Sequence, residues 1–184
     1  MYNIETSRLG LREWKEEDLL PFIGMNKDPL VMEHFPKLST EEETREMMQR
    51  IKLFMINKGF GLWAVEIKET AEFIGYVGLT IPRFEADFTP CVEIAWRLAT
   101  RYWGNGYASE AAIACLNYGF NILNLQTILS FTSVLNIRSI NVMKRIGMVY
   151  VKEFEHPLIE EGNRLRKHVL YVKRREGYGL FNIY

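Results

Sequence analysis

A glycine-bearing turn in the middle of the chain has the residues to hold an anion. Arg101, Gly104 and Gly106 form an Arg-x-x-Gly-x-Gly pattern, and the residues after it are typical of a helix. Backbone N–H groups at a helix start lack intrahelical partners and lie at the positive end of its dipole, so they attract phosphate. Glycine lets that backbone approach a ligand closely. Alone, the pattern is weak evidence, because it arises by chance in roughly one chain in twenty of this length.

Several other chemistries are not supported by the residues around this turn. No Gly-Lys-Ser/Thr follows the glycines, as a nucleotide P-loop requires, and Ser109 stands where a dinucleotide fingerprint has its third glycine. The two cysteines, Cys91 and Cys115, are far apart and are expected to be buried thiols. The three histidines are widely separated in the sequence: His34, His156 and His168. We therefore expect neither a zinc site nor a histidine-based triad.

Length and charge limit the kinds of protein that this chain can be. Its 184 residues fit one domain. The 23 basic residues are balanced by 23 acidic ones, which does not give the electropositive surface of a nucleic-acid binder. No segment approaches the ~20 apolar residues of a membrane span, and the N-terminus lacks a signal-peptide pattern. We expect a cytoplasmic protein with a single domain over residues 1–184, whose partners include neither nucleic acid nor a membrane.

The elements that position the turn follow from apolar periodicity and helix signals. In chain order we predict a half-exposed strand at Leu9–Arg12, two short helices within residues 16–35, a helix from the capping boxes at Ser39 and Thr40 to Gly59, strands Leu62–Ile67 and 73–81, a strand at 91–98, a helix at 108–123, a strand at 127–135, a helix at 137–146, and strands Val149–Glu155 and 164–172. This order predicts an α/β protein with a mixed sheet and helices on both faces.

A set of short motifs then carries a family resemblance. The turn reads Arg101-Tyr-Trp-Gly-Asn-Gly-Tyr-Ala-Ser-Glu-Ala, with Glu93-Ile-Ala-Trp before it and Asn136-Ile-Arg-Ser and Lys144-Arg-Ile-Gly-Met after it. In this order the motifs resemble the GNAT acetyltransferases over nearly the whole chain. The opening Thr6-Ser-Arg-Leu-x-Leu-Arg is similar to the branch that includes the ribosomal-protein N-terminal acetyltransferases.

The resemblance implies a fold, a cofactor and a set of cofactor contacts. The fold would be a mostly antiparallel sheet of six or seven strands, splayed between the fourth and fifth strands. Acetyl-coenzyme A (acetyl-CoA) would bind in that opening, with its pyrophosphate on the glycine turn and its pantetheine arm along the fourth strand, where a bulge could free an N–H for the thioester oxygen. The positions carried over as contacts are Ala95, Trp96, Arg97, Leu98, Arg101, Tyr102, Trp103, Gly104, Asn105, Gly106, Tyr107, Ala108, Asn136 and Ser139.

Two residues are candidates for the chemistry of amine acetylation, which the resemblance implies. Glu93 is the only acidic residue of residues 91–98 and could act as a base through water; an outward-facing structural carboxylate is an equal alternative. Ser139 could donate a proton or a hydrogen bond to the departing sulfur, with a helix-capping role as its alternative. Asn136 could likewise be a turn residue and not a coenzyme A contact.

The acceptor stays open at this point. The resemblance implies N-acetyl transfer to a primary amine, either a protein N-terminus or a small molecule, by direct attack in a ternary complex without a metal. The alternative is a GNAT-like module that binds coenzyme A without efficient catalysis. We expect the apolar tail at residues 177–184 to pack either on its own domain or on a second subunit in a homodimer.

Overall fold

The computed structural model describes residues 1–175, which form eight β-strands and four α-helices. The strands are β1 (Ile4–Glu5), β2 (Leu9–Arg12), β3 (Leu62–Ile67), β4 (Phe73–Thr80), β5 (Glu93–Leu98), β6 (Thr127–Ser133), β7 (Val149–Glu155) and β8 (Lys167–Arg174). The helices are α1 (Leu19–Lys27), α2 (Glu41–Lys58), α3 (Tyr107–Asn121) and α4 (Ile137–Arg145), with short 3₁₀ turns at Glu16–Asp18 and Thr100–Tyr102. The tail at residues 177–184 lies outside the described residues.

The strands form one mixed sheet in the order β1-β2-β3-β4-β5-β6-β8-β7. All neighbouring strands are antiparallel except β5 and β6, which are parallel and pair only at Glu93 and Leu129. The two strands diverge beyond that pair. The predicted mixed, mostly antiparallel sheet with a splayed centre is confirmed, and the two-residue strand β1 extends it to eight strands.

Two apolar layers cover the two faces of the sheet. Helices α3 and α4 pack on one face in a core that includes Ala111, Cys115 and Met143. Helices α1 and α2 pack on the other face around Trp14 and Phe22. The β5–β6 opening therefore has a helical layer on each side.

Helix α2 begins and ends where its sequence predicts. The Thr40 hydroxyl accepts a hydrogen bond from the Glu43 N–H at 3.1 Å, and the Glu43 carboxylate accepts one from the Thr40 N–H at 2.8 Å. This reciprocal pair satisfies two donors at the helix start. At the other end Gly59 has φ +74°, a left-handed conformation that favours glycine.

One local prediction in the first half was wrong. Strand β2 is fully buried and not half-exposed, because Tyr2 covers Gly10 and the guanidinium of Arg12 is paired inside the protein. The two short helical pieces expected within residues 16–35 are the 3₁₀ turn at Glu16–Asp18 and α1, which ends at Lys27; the following residues form turns. Asp28 precedes a proline and is extended, with ψ 116°, as the steric demand of proline requires.

None of the helices within residues 1–175 is long and apolar enough to cross a membrane.

Candidate functional site

The opening between β5 and β6 leads into a cavity of about 660 Å³. Its walls come from β5, β6, the first turns of α3 and α4, residues 30–36 after α1, and the loop that follows β7. The glycine turn lies at one end of this cavity. Most of the residues expected to contact a cofactor therefore line a single space.

The glycine turn presents free backbone donors. Gly104 and Gly106 have φ +81° and φ +78°, and Gly106 is the N-cap of α3 with no side-chain cap. The first helical hydrogen bond runs from the Glu110 N–H to the Gly106 carbonyl at 3.0 Å. The N–H groups of residues 107–109 come before this first bond and therefore have no partner within the helix. A Cβ built on Gly104 would meet no atom within 4 Å, so this backbone is open to a ligand.

Two arginines that the sequence did not single out lie beside this turn. The Arg8 guanidinium is 4.6 Å from the ring centroid of Tyr107, and it forms a 2.6 Å ion pair with Glu110 of α3. From α4, the Arg145 Nη1 donates to the buried Ser109 hydroxyl at 3.3 Å. Arg145 adds positive potential where the helix start already attracts an anion, whereas the charge of Arg8 is balanced by Glu110. The position of Arg8 in the opening motif is a signal that could have identified it.

Two of the expected contact residues do not line the cavity. The exposed Arg101 guanidinium lies 4.8 Å from the ring of its neighbour Tyr102. The Asn105 side chain donates to the carbonyls of Tyr102 and Trp103, at 3.3 and 3.2 Å. In this structure Asn105 holds the shape of the turn, and Arg101 lies outside the cavity walls.

The edge of β5 facing the opening has free backbone groups at Trp96. The Ile94 carbonyl points towards β6 and accepts a hydrogen bond from the Ser130 hydroxyl at 3.0 Å. Because backbone groups alternate along a strand, the N–H and C=O of Trp96 also face the opening. The Leu98 carbonyl is bound by the Trp103 indole at 2.8 Å. Pairing of β5 with β4 is continuous, so the bulge expected here is absent.

Asn136 and Ser139 have distinct roles at the start of α4. The Asn136 Oδ1 accepts from the Ser139 N–H at 3.1 Å and caps the helix, and its Nδ2 donates to the Thr132 hydroxyl at 3.0 Å. The Ser139 hydroxyl is not a cap: it lines the cavity and accepts from the Trp96 indole at 3.3 Å. The turn-and-cap alternative therefore describes the Asn136 side chain, and the Ser139 hydroxyl faces the space beside β5.

Glu93 lies in the cavity wall, where β5 and β6 make their one pair. Burial raises the pKa of Glu93 to about 8. Its carboxyl group has no ion pair and no hydrogen bond with any residue among 1–175. No cation or hydrogen-bond donor of these residues therefore stabilises its ionised form. The outward-facing alternative does not hold. A carboxyl with a pKa near the working pH can take up and release a proton, as a general base must.

The three histidines, widely separated in the sequence, all line the cavity. Burial lowers the pKa of each, and that of His156 reaches about 4. His156 and His168 have ring centroids 4.9 Å apart, and each is packed beside Phe131. They are therefore neutral at pH 7 and form part of an aromatic wall. Within residues 1–175 no cluster of three metal-ligating side chains occurs.

A second charged side chain of β5 also reaches the cavity. Arg97 is 9% exposed, and its Nη1 donates to the Asn26 Oδ1 of α1 at 2.7 Å. Its guanidinium carbon lies 4.0 Å from the ring centroid of Phe35. The sequence pointed to Arg97 only as a backbone contact in a strand. Its burial on the face opposite α3 depends on the packing of α1 and the following loop.

Comparison with known proteins decides the family. A family model described as "Acetyltransferase (GNAT) domain" matches residues 8–149. The chain belongs to the GNAT acetyltransferase family. It is an acyltransferase, and GNAT enzymes use acetyl-CoA as their acetyl donor.

Similar GNAT sequences and structures cover most of the chain. "Uncharacterized protein YkkB" of Bacillus subtilis (strain 168) is 36% identical, over 80% of this chain and 85% of the relative. "Uncharacterized N-acetyltransferase YnaD" of the same organism is 33% identical, over 79% and 82%. A GNAT-family acetyltransferase from Bacillus anthracis has a crystal structure that matches with a TM-score of 0.77 and 27% identity, over 93% of this chain and 97% of that one.

Proposed function

We propose that this protein transfers the acetyl group of acetyl-CoA to a primary amine by direct attack in a ternary complex. The acceptor amine is a protein N-terminal α-amine or the amine of a small molecule. One observation carries the proposal: an anion-binding helix start, a free strand edge and an uncompensated carboxyl share one cavity. Acetyl-CoA supplies the acetyl group as a thioester.

The chain's own groups suit the two ends of the donor. The backbone donors at Gly104, Gly106 and the first turn of α3 would bind the pyrophosphate, with Arg8 and Arg145 beside them. The free edge of β5 at Trp96 would pair with the amides of the pantetheine arm, as an added strand would. Its N–H is also a donor for the thioester oxygen.

Glu93 and Ser139 would move the protons. An α-amine with a pKa of about 7.7 to 8.0 is partly neutral at pH 7, so its attack requires only that a nearby base accept one proton. We assign this to the ionised Glu93 carboxylate, directly or through a water. We assign to the Ser139 hydroxyl a hydrogen bond or proton to the departing sulfur, because it lines the same cavity beside Trp96.

Gly106→Ala is expected to raise the Kd for coenzyme A at least tenfold. A side chain at φ +78° is strained by about 1 to 3 kcal/mol, and relief of that strain rotates the N–H groups away from the ligand. Isothermal titration with coenzyme A measures the change. Gly59→Ala is the matched control, because Gly59 has φ +74°, no atom within 4 Å of an added Cβ and no place in the cavity; at Gly106 the added Cβ would make only an ordinary 3.6 Å contact with the Arg8 side chain. Equal Kd values for the two variants would contradict the proposed binding of coenzyme A by the glycine turn.

Ser139→Ala is expected to lower kcat by about tenfold with little change in Kd for coenzyme A. The loss corresponds to one charge-assisted hydrogen bond to the developing thiolate. The readout is kcat with a good acceptor at saturation. Ser133→Ala is the control, because that serine is on β6 outside the cavity lining. Unchanged kcat in Ser139→Ala would remove Ser139 from the chemistry.

Thiol release tests the proposal as a whole. The protein is incubated with acetyl-CoA and a panel of primary amines that includes peptides with different first residues, and free coenzyme A is followed. Release above background hydrolysis with any amine supports acetyl transfer. A rise in melting temperature with acetyl-CoA, equivalent to about 2.7 kcal/mol at 100 times its Kd, without release across the panel would support the binding module instead.

A further inference from the structure

Arg97 is a buried cation without a counter-charge in residues 1–175. No carboxylate oxygen of these residues lies within 4.0 Å of its guanidinium, and its Nε is enclosed without any hydrogen-bond partner. Its neighbours are neutral: Asn26 from α1, the Phe35 ring after α1, and Tyr76 from β4. Burial raises the pKa of Tyr76; the Arg97 guanidinium opposes that rise, and the Glu93 carboxylate adds to it. Buried charges in proteins are normally paired.

Another buried arginine of this chain shows the usual arrangement. Arg12 is 5% exposed, and it pairs with both Asp18 and Glu66, which are buried with it. Arg97 is 9% exposed and has no aspartate or glutamate partner within residues 1–175. Glu93 does not serve, because it lies four residues away along β5, about 13 Å at the usual rise of a strand, and its carboxylate is not within 4.0 Å of the guanidinium. Arg97 keeps a charge that nothing in residues 1–175 balances.

Arg97 lies on the acceptor side of the cavity. Alternate residues of a strand share a face, so Glu93, Ala95 and Arg97 face α1 and the loop after it. Trp96 faces the opposite side, where its indole meets Ser139 of α4. Arg97 therefore projects on the same side as the proposed base, away from the helix start that would bind the donor.

We infer that the acceptor carries a carboxylate in addition to its primary amine, and that Arg97 binds this carboxylate. The inference rests on the proposed function, and it makes the acceptor a small amino acid. A guanidinium binds a carboxylate through two parallel hydrogen bonds. One unpaired cation balances one negative charge, whereas a phosphate carries about two, and His156 and His168 in the wall of the same cavity are neutral. A polyamine would meet Arg97 with repulsion.

The test compares acids with their own amides. The probes are L-phenylalanine, L-leucine, β-alanine, 4-aminobutyrate and 6-aminohexanoate, each paired with its carboxamide, together with spermidine. Binding to the coenzyme A-loaded protein and kcat/KM with acetyl-CoA are both measured. We expect at least one acid to bind ten- to a hundredfold more tightly than its amide, as hydrogen bonds between charged groups allow. Spermidine is expected to be no better than the amides.

Arg97→Gln and Arg97→Lys then locate the effect. In Arg97→Gln the preference for the acid should fall below about twofold, while binding of the amide changes by less than about threefold. Arg97→Lys keeps the positive charge but lacks the paired planar N–H donors of a guanidinium. It should therefore retain only part of the preference for the acid. It also keeps the test available if Arg97→Gln fails to fold. Coenzyme A affinity is the control in both variants and should not change.

Failure of this inference and failure of the proposed function are distinguishable. Acetyl transfer to acids and amides at equal rates, or a preference for acids that survives in Arg97→Gln, overturns the role of Arg97 and leaves acetyl transfer intact. The same holds if no acid in the panel binds better than its amide. Binding of an acid that depends on Arg97, with no transfer to any amine, keeps the carboxylate site and removes the transfer proposal.

Discussion

Glu93→Gln is expected to lower kcat/KM by about 10²- to 10⁴-fold at pH 9, because the amide keeps the shape of the side chain and cannot accept a proton. The deficit should shrink as the pH falls. Only the ionised carboxylate acts as a base, and burial raises its pKa to about 8. The ratio of wild-type to variant kcat/KM should therefore rise tenfold per pH unit below about 8 and level off above it. The ratio cancels the ionisation of the amine itself.

Glu85→Gln is the control for this experiment, because Glu85 is exposed and lies outside the cavity. A ratio that does not change with pH would show that Glu93 is not the base. Stability gives a second readout. Because the folded pKa is raised from 4.5, the neutral Glu93 carboxyl contributes stability below pH 4.5 that is lost as the pH rises through 8. This loss should be present in wild-type unfolding and absent in Glu93→Gln.

The parts of the fold that depend on neighbouring residues could be predicted from the sequence. The caps of α2 are set by Thr40, Glu43 and Gly59, and the structure has all three in the expected roles. Strand β7 has the predicted bounds, Val149–Glu155. Strand β8 begins at Lys167, three residues later than predicted, because Asn163 instead holds a turn with Leu165 and Arg166. Such a turn competes with a strand through local side-chain hydrogen bonds.

The open glycine turn could be predicted for the same reason, and the surroundings of the charged and aromatic side chains in the cavity could not. Gly104 and Gly106 set the turn through their own backbone conformation, so a motif is enough to find them. His34, His156 and His168 become neighbours of one cavity only after α1, β7 and β8 are in place. The unpaired charge of Arg97 is likewise a property of its surroundings, since it depends on which carboxylates the fold brings near. Spacing along the chain carries no such information.

Arg12→Leu is expected to reduce the free energy of unfolding by about 3 to 5 kcal/mol at pH 7, a large part of the 5 to 15 kcal/mol typical of a domain. Arg12 binds both oxygens of Asp18, at 2.7 and 2.9 Å, and its Nε binds Glu66. Burial disfavours ionisation of Glu66, but hydrogen bonds from Arg12 and Tyr2 outweigh it and hold its pKa below the ordinary value. Without Arg12, two buried carboxylates face each other. Urea unfolding measures the loss.

Two companion variants separate the cost of an orphaned charge from the cost of lost packing. Replacing Arg12, Asp18 and Glu66 together by apolar residues should restore most of the stability, because no buried charge is then left unpaired. Arg97→Leu should cost less than Arg12→Leu, about 1 to 3 kcal/mol, because that guanidinium has no carboxylate to leave behind in residues 1–175 and only the buried Asn26 Oδ1 loses its hydrogen bond. A loss as large as that of Arg12→Leu would mean that Arg97 is held for the fold. A smaller loss is the result expected if Arg97 is kept to bind a ligand.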